Sequence, residues 1–180
     1  MTEEDIIRGC TKQDAACQKM LYDRYASSML GVCNRYARNT ADAEDILQEA
    51  FIKVFSKIFQ FKFEGSFEGW VRRIVVNTAL KKYSLARYSK EINNFEEKHA
   101  YEYYDEPAAY HHLSEKDILL MINKLPDGYR LIFNLYVIEG FAHEDIAKML
   151  GIQAGTSRSQ LVKARNLLQK QLLNHKKIAV

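Results

Sequence analysis

Two prolines and eight glycines in 180 residues leave this chain few places to interrupt a helix. Most of them fall between stretches in which apolar residues recur every three to four positions, the spacing of one helical face. The chain is therefore expected to be all-α, and its length fits one large domain or two small ones. With 47% hydrophobic and 27% charged residues it is a globular sequence. No apolar run approaches the roughly 18–20 residues of a membrane helix, Ile118–Ile122 being among the longest. The opening Met1-Thr2-Glu3-Glu4-Asp5 is acidic where a secretory leader would be basic, so a cytoplasmic protein is expected. Cys10, Cys17 and Cys33 have no metal-knuckle spacing and are expected as reduced core thiols.

Helix boundaries follow from local signals. Thr11 is expected to cap a long helix to about Arg38, with Ala15, Met20, Leu21, Tyr25, Met29 and Val32 inward. Thr40 is expected to cap a second helix, with Ile46, Ala50, Val54 and Phe55 inward. Ser66 would cap a third, buried through Trp70, Val71, Ile74, Val75 and Thr78. These make a helical domain over residues 1–90. Residues 91–113 lose the periodicity and read as a flexible acidic linker. A second helical domain over 114–180 opens on a Ser114–Asp117 capping box, and Leu125-Pro126-Asp127 starts its next helix.

The distribution of charge says more than its total of +3. Residues 1–90, 91–113 and 114–180 carry net charges of +4, −5 and +4. Between Glu68 and Glu91 there is no acid, but six cations: Arg72, Arg73, Lys81, Lys82, Arg87 and Lys90. After Asp145 there is none, while Lys148, Arg158, Lys163, Arg165, Lys170, Lys176 and Lys177 accumulate. Such stretches are either solvated faces or footprints for a polyanion.

Three segments could carry function. In residues 142–172 a short helix (His143–Leu150) meets Gly151-Ile152, and a longer helix follows from about Thr156 with Leu161, Ala164, Leu168 and Leu172 inward. This is the pattern of a helix-turn-helix. The second helix is expected to expose Ser157, Arg158, Ser159, Gln160, Lys163 and Arg165, groups suited to major-groove edges and phosphates. In Ala41–Phe55, Asp42, Asp45, Gln48 and Glu49 form one polar stripe. That stripe suits metal or acid–base chemistry, docking on a basic protein surface, or plain stabilisation of a helix N-terminus. From Phe59 to Lys90 aromatics alternate with cations, as single-stranded bases require. Phe67 and Trp70 fit the core better, which leaves Phe61 and Phe63 as stacking candidates.

Enzymatic signatures fail. His143-Glu144-Asp145-Ile146-Ala147 begins like a zinc-protease helix, but Ala147 stands where the second ligand belongs. His111 and His112 are adjacent and diverge on any regular element. No catalytic residue, metal or cofactor is expected.

With these segments in view, the chain resembles the sigma-70 family of RNA polymerase sigma factors, in the small two-domain extracytoplasmic-function (ECF) group. Residues 42–51 (DAEDILQEAF) resemble conserved region 2.2. Residues 65–74 (GSFEGWVRRI), followed by Asn77, resemble regions 2.3–2.4. Residues 125–130 (LPDGYR), 136–141 (YVIEGF), the helix-turn-helix and 155–161 (GTSRSQL) resemble region 4.

The resemblance implies that Asp45, Gln48 and Glu49 bind the coiled coil of the largest RNA polymerase subunit. It implies recognition and melting of the −10 promoter element by Phe61, Phe63, Arg72, Arg73, Asn77 and Lys81. The second domain would sit on the flap of the second-largest subunit and read the −35 element through Arg158, Ser159, Gln160, Lys163 and Arg165. The acidic linker would thread towards the RNA path; its 23 residues reach roughly 75–80 Å when extended. Control by an anti-sigma factor is a further implication. The sequence departs from the family at Lys81, commonly acidic, at Ala142, where a capping serine or threonine is usual, and at Gln153-Ala154. Two rival readings remain: a free-standing helix-turn-helix repressor, and a metal-dependent hydrolase using Asp45 and Glu49.

Overall fold

The computed structural model describes residues 1–82 and 114–178, with backbone alone for Glu115 and 174–178. The chain divides into two compact units, Met1–Tyr83 and Ser84–Val180. All regular structure among the described residues is helical. No described helix is long and apolar enough to cross a membrane. The expected linker at 91–113, with the end of the first domain and His111-His112, lies outside the described residues.

The first unit holds α1 (Glu3–Thr11), α2 (Ala15–Tyr36), α3 (Thr40–Lys57), a 3-10 turn (Ile58–Gln60) and α4 (Phe67–Lys82). Here the expected long first helix is corrected. Thr11 ends α1, its hydroxyl donating back to the Ile7 carbonyl at 3.0 Å, rather than starting α2. The acidic opening is itself a helix start. Thr2 Oγ1 accepts from the Asp5 amide at 3.2 Å, and the Asp5 carboxylate accepts from the Thr2 amide at 2.9 Å. Glu3, Glu4 and Asp5 complement the positive end of the dipole. Asp14 caps α2 by accepting from the Cys17 amide at 3.0 Å. Asn39, one residue before the expected Thr40, caps α3 through the Asp42 amide at 2.8 Å. Ser66 accepts from the Gly69 amide at 3.3 Å, as expected for α4.

α2, α3 and α4 pack against one another, and α1 lies on α2. Their shared core is Leu21, Met29, Val32 and Cys33 from α2, Ile46, Ala50 and Val54 from α3, and Val71, Val75 and Ala79 from α4. Each large aliphatic buried here contributes roughly 1.5–3 kcal/mol. Met20 and Ala15, expected inward, are exposed, because the buried stripe of α2 runs through Cys17, Leu21, Tyr25, Met29 and Val32, and both residues lie off it. The α1–α2 approach is so close that a Cβ on Gly9 would sit 2.9 Å from Cys17 Cβ and closer still to its sulfur. Tyr25 of α2 donates to Glu3 of α1, and burial together with that carboxylate pushes its phenol up to about 12. All three cysteines are free and buried, and burial raises the Cys33 thiol to about 12 and that of Cys10 to about 11.

The second unit holds α5 (Glu115–Asn123), α6 (Asp127–Phe133), α7 (His143–Leu150) and α8 (Ala154–Ile178). The Ser114–Asp117 capping box is present. α6 runs on into a π-turn at Asn134–Ile138, which closes with the Glu139 amide on the Asn134 carbonyl at 2.9 Å. α8 packs on α6 and α7. Leu125, Tyr129 and Ala164 form one buried cluster, with Phe133, Leu167 and Leu168 against it. Ile146, Ala147 and Leu150 are all buried, as their spacing predicts. Gly151 ends α7 in the left-handed region (φ 66°), where an L side chain costs roughly 1–2 kcal/mol. Ala142 occupies the N-cap of α7 with no side-chain bond.

Candidate functional site

The polar stripe of α3 stands out from the first unit. Asp45, Gln48 and Glu49 are exposed, while Ile46, Leu47 and Ala50 on the other side fill the core. Lysines lace the stripe to α4 and to its own helix. Lys82 Nζ donates to Asp45 at 3.1 Å and lies 3.9 Å from Asp42. Lys53 Nζ donates to Glu49 at 2.6 Å and to Thr78 Oγ1 at 3.2 Å. Ile52, one turn beyond Gln48 and Glu49, is 69% exposed, so an apolar side chain extends the polar stripe. The sequence pattern left Ile52 unassigned; its offset from Ile46, Ala50 and Val54 would have placed it outside.

The loop between the 3-10 turn and α4 separates the two stacking candidates. Phe61 is buried, its ring 5.2 Å from Phe63, 5.0 Å from Phe67 and 5.7 Å from Trp70. It is a core residue, and its expected role as a free base platform is corrected. Phe63 remains half exposed, at a left-handed φ of 60°, with the Arg8 guanidinium 5.7 Å from its ring centre. Phe59 is also exposed, at 66%. The loop leads directly into α4, on which Arg73, Asn77 and Lys81 are exposed at successive four-residue steps and Arg72 is half buried.

In the second unit α7 and α8 join as a helix-turn-helix. The expected exposure of Ser157 and Gln160 is corrected, since both are fully buried. α8 begins at Ala154, and positions 157, 160, 161 and 164 then share one inward stripe with Leu161 and Ala164. Gln160 therefore cannot reach a base edge. Arg158 and Arg165 are exposed, and Ser159 and Lys163 are half buried, Ser159 donating to the Thr156 carbonyl at 3.0 Å. Val162, 37% exposed, lies among them.

Contacts invisible to periodicity join the two helices. His143 Nδ1 and Ser157 Oγ are 2.8 Å apart, and the Tyr136 ring stacks on His143 with centroids 4.2 Å apart. Burial, then the nearby Arg158 guanidinium, hold the His143 imidazole below its ordinary pKa, with Glu144 pulling the other way. One residue further on, Arg158 donates to Glu144 at 2.5 Å, both side chains being more than half exposed.

The family model of sigma-70 region 2 matches residues 21–88, and that of sigma-70 region 4 matches 115–168. Together they take in well over half of the chain. The RNA polymerase sigma-H factor of Pseudomonas aeruginosa is 28% identical over 94% of this chain and 93% of its own. The ECF RNA polymerase sigma-E factor of Haemophilus influenzae is 27% identical over 96% of each chain. Among solved structures, the sigma factor RpoE of Bartonella quintana, in complex with the anti-sigma factor NepR, has a TM-score of 0.51. It is 23% identical, covers 86% of this chain and 95% of its own, and supports the fold. Two region models in family order, and relatives that align end to end, lead to one conclusion. The chain belongs to the ECF group of the sigma-70 family, regulatory factors of promoter-directed transcription initiation by RNA polymerase rather than enzymes.

Proposed function

We propose that the first unit docks on core RNA polymerase through Asp45, Gln48 and Glu49, with Ile52 completing the contact, and holds the opened −10 element. Phe63 would stack an unpaired base, and Arg72, Arg73, Asn77 and Lys81 would line the strand's path. The second unit reads the −35 element through Arg158, Ser159, Lys163 and Arg165, without Gln160. The observation that carries this reading is the outward Arg158 and Arg165, two turns apart on the second helix of a helix-turn-helix in which Ser157 and Gln160 are buried. Residues 91–113 would span the two units along the RNA path of the polymerase. An anti-sigma partner is supported by the complex in which the Bartonella relative was solved. Two weak DNA contacts joined through one polymerase gain effective concentration, so the free protein is expected to bind promoter duplex poorly.

Affinity for core polymerase tests the docking face. The Asp45→Ala/Glu49→Ala double variant is expected to weaken it at least about tenfold, equivalent to about 1.4 kcal/mol. Lys82→Ala, which frees Asp45 from its lysine, is expected to leave it unchanged or tighter. Unchanged affinity in the double variant would refute the docking face. Tight palindrome binding by the free protein would favour a free-standing repressor instead.

A further inference from the structure

Successive residues of α7 touch successive residues of α8: His143 with Ser157 at 2.8 Å, and Glu144 with Arg158 at 2.5 Å. The two contacts differ in kind. Ser157 is fully buried, so the first pair fixes the angle and register of the two helices. The second pair is exposed, at 60% for Glu144 and 57% for Arg158, and an ion pair in that setting contributes little to folding. Its place on the outward face of the helix-turn-helix is therefore what calls for explanation. Glu144 and Asp145 are also the last acids in the chain, so a carboxylate stands at the rim of an otherwise cationic face.

We infer that Glu144 is a positioning residue, holding the Arg158 guanidinium edge-on for a guanine and away from the DNA phosphates. This rests on the reading of α8 as the −35 helix. A guanidinium carries five N–H donors in one plane. With part of that plane engaged by Glu144, the remaining donors keep a fixed direction. Guanine O6 and N7 accept a coplanar pair of such donors. The carboxylate also offsets the arginine's charge and repels phosphate oxygens, so the side chain discriminates more and clings less. Asp145 is the internal comparison: it carries the same charge in the same first turn of α7, where it complements the helix dipole.

The test uses the full chain bound to core polymerase on promoters varied singly through the −35 element, with occupancy as the readout. The native protein is expected to prefer guanine at one position by about tenfold or more. Glu144→Gln is expected to reduce that preference to about two- to threefold, leave other positions unchanged and raise affinity for non-specific duplex. Asp145→Asn is expected to leave the preference intact, and Glu144→Asp to restore part of it. An unaltered preference in Glu144→Gln overturns the inference, as does an equal loss in Asp145→Asn. If Arg158→Ala removes the preference and Glu144→Gln does not, the −35 reading stands and the role of Glu144 falls. If the native complex shows no base preference anywhere in the element, both fall.

Discussion

Ala142→Ser is expected to stabilise the second unit, and the molecule supplies its own calibration. The N-cap backbone of α7 has φ −68° and ψ 153°. Those of Thr2 (−73°, 165°) and Ser114 (−73°, 157°) are nearly the same, so the new hydroxyl needs no rearrangement of the chain. At both existing caps the hydroxyl oxygen accepts from an aspartate amide three residues on, at 3.2 Å. The aspartate returns the bond to the cap amide, at 2.9 Å in α1 and 3.2 Å in α5. Asp145 stands at the equivalent position of α7. Its amide already bonds to the Ala142 carbonyl at 3.0 Å, but the Asp117 amide makes the same carbonyl bond at 3.0 Å while serving the Ser114 hydroxyl, so the two coexist. Ala142 is exposed, and the hydroxyl carries no desolvation cost. A gain of about 1 kcal/mol is expected, which for a unit of this size corresponds to a rise of about 4–8 °C in its midpoint. Thermal unfolding of the full chain measures the gain, and hydrogen exchange of the α7 amides assigns it. Repeating the substitution in an Asp145→Ala background should remove part of the benefit, since half of the reciprocal pair is then missing. No rise in midpoint, or a rise indifferent to Asp145, would refute the capping argument.

Phe61→Ala is expected to cost the first unit about 3–5 kcal/mol, the effect of emptying a packed aromatic site. Phe63→Ala is expected to cost much less, and urea unfolding that ranks the two in the opposite order would return Phe61 to the surface. His143 carries a pH dependence of definite sign. Its folded pKa lies below the ordinary value near about 6.5, so the unfolded chain binds the proton more readily and stability falls as pH drops through and below that value. The denaturation midpoint of the second unit, compared at pH 7.5 and 5.5, should decline in the native protein and less in His143→Gln. A midpoint equally flat in both would refute it.

Most of the architecture was legible because strong local signals coincide with the helical period. His143–Leu150 was bounded correctly, since Gly151 supplies the left-handed stop and Ile146, Ala147 and Leu150 the inward face. The apolar pattern does not reveal α1, which is signalled only by its Thr2–Asp5 cap, because the same acids read equally as a non-basic N-terminus. Met20 and Ala15 lie off the Cys17–Leu21–Tyr25–Met29 stripe, so their apolar character alone does not place them. In α8 polarity and packing disagree: the chemistry of Ser157 and Gln160 suggests an outward face, although extending the Leu161–Ala164 stripe one turn back includes both. Phe61 and Phe63 lie two residues apart in a loop, where neither period applies, so only packing separates them. The Glu144–Arg158 and His143–Ser157 contacts join different helices, and no pattern within one helix encodes them.

The close seat of Gly9 against Cys17 has a consequence for how this protein can change over generations. Adding even a methyl group at position 9 demands that atoms be surrendered at position 17, and the backbone between them, held by two amides on the Gly9 carbonyl at 3.0 and 3.1 Å, has little room to slide. The two sites are therefore expected to be coupled, a larger residue at position 9 being penalised unless position 17 changes with it. A library that randomises position 9 alone should find it intolerant, and one that randomises both jointly should recover small-for-large exchanges.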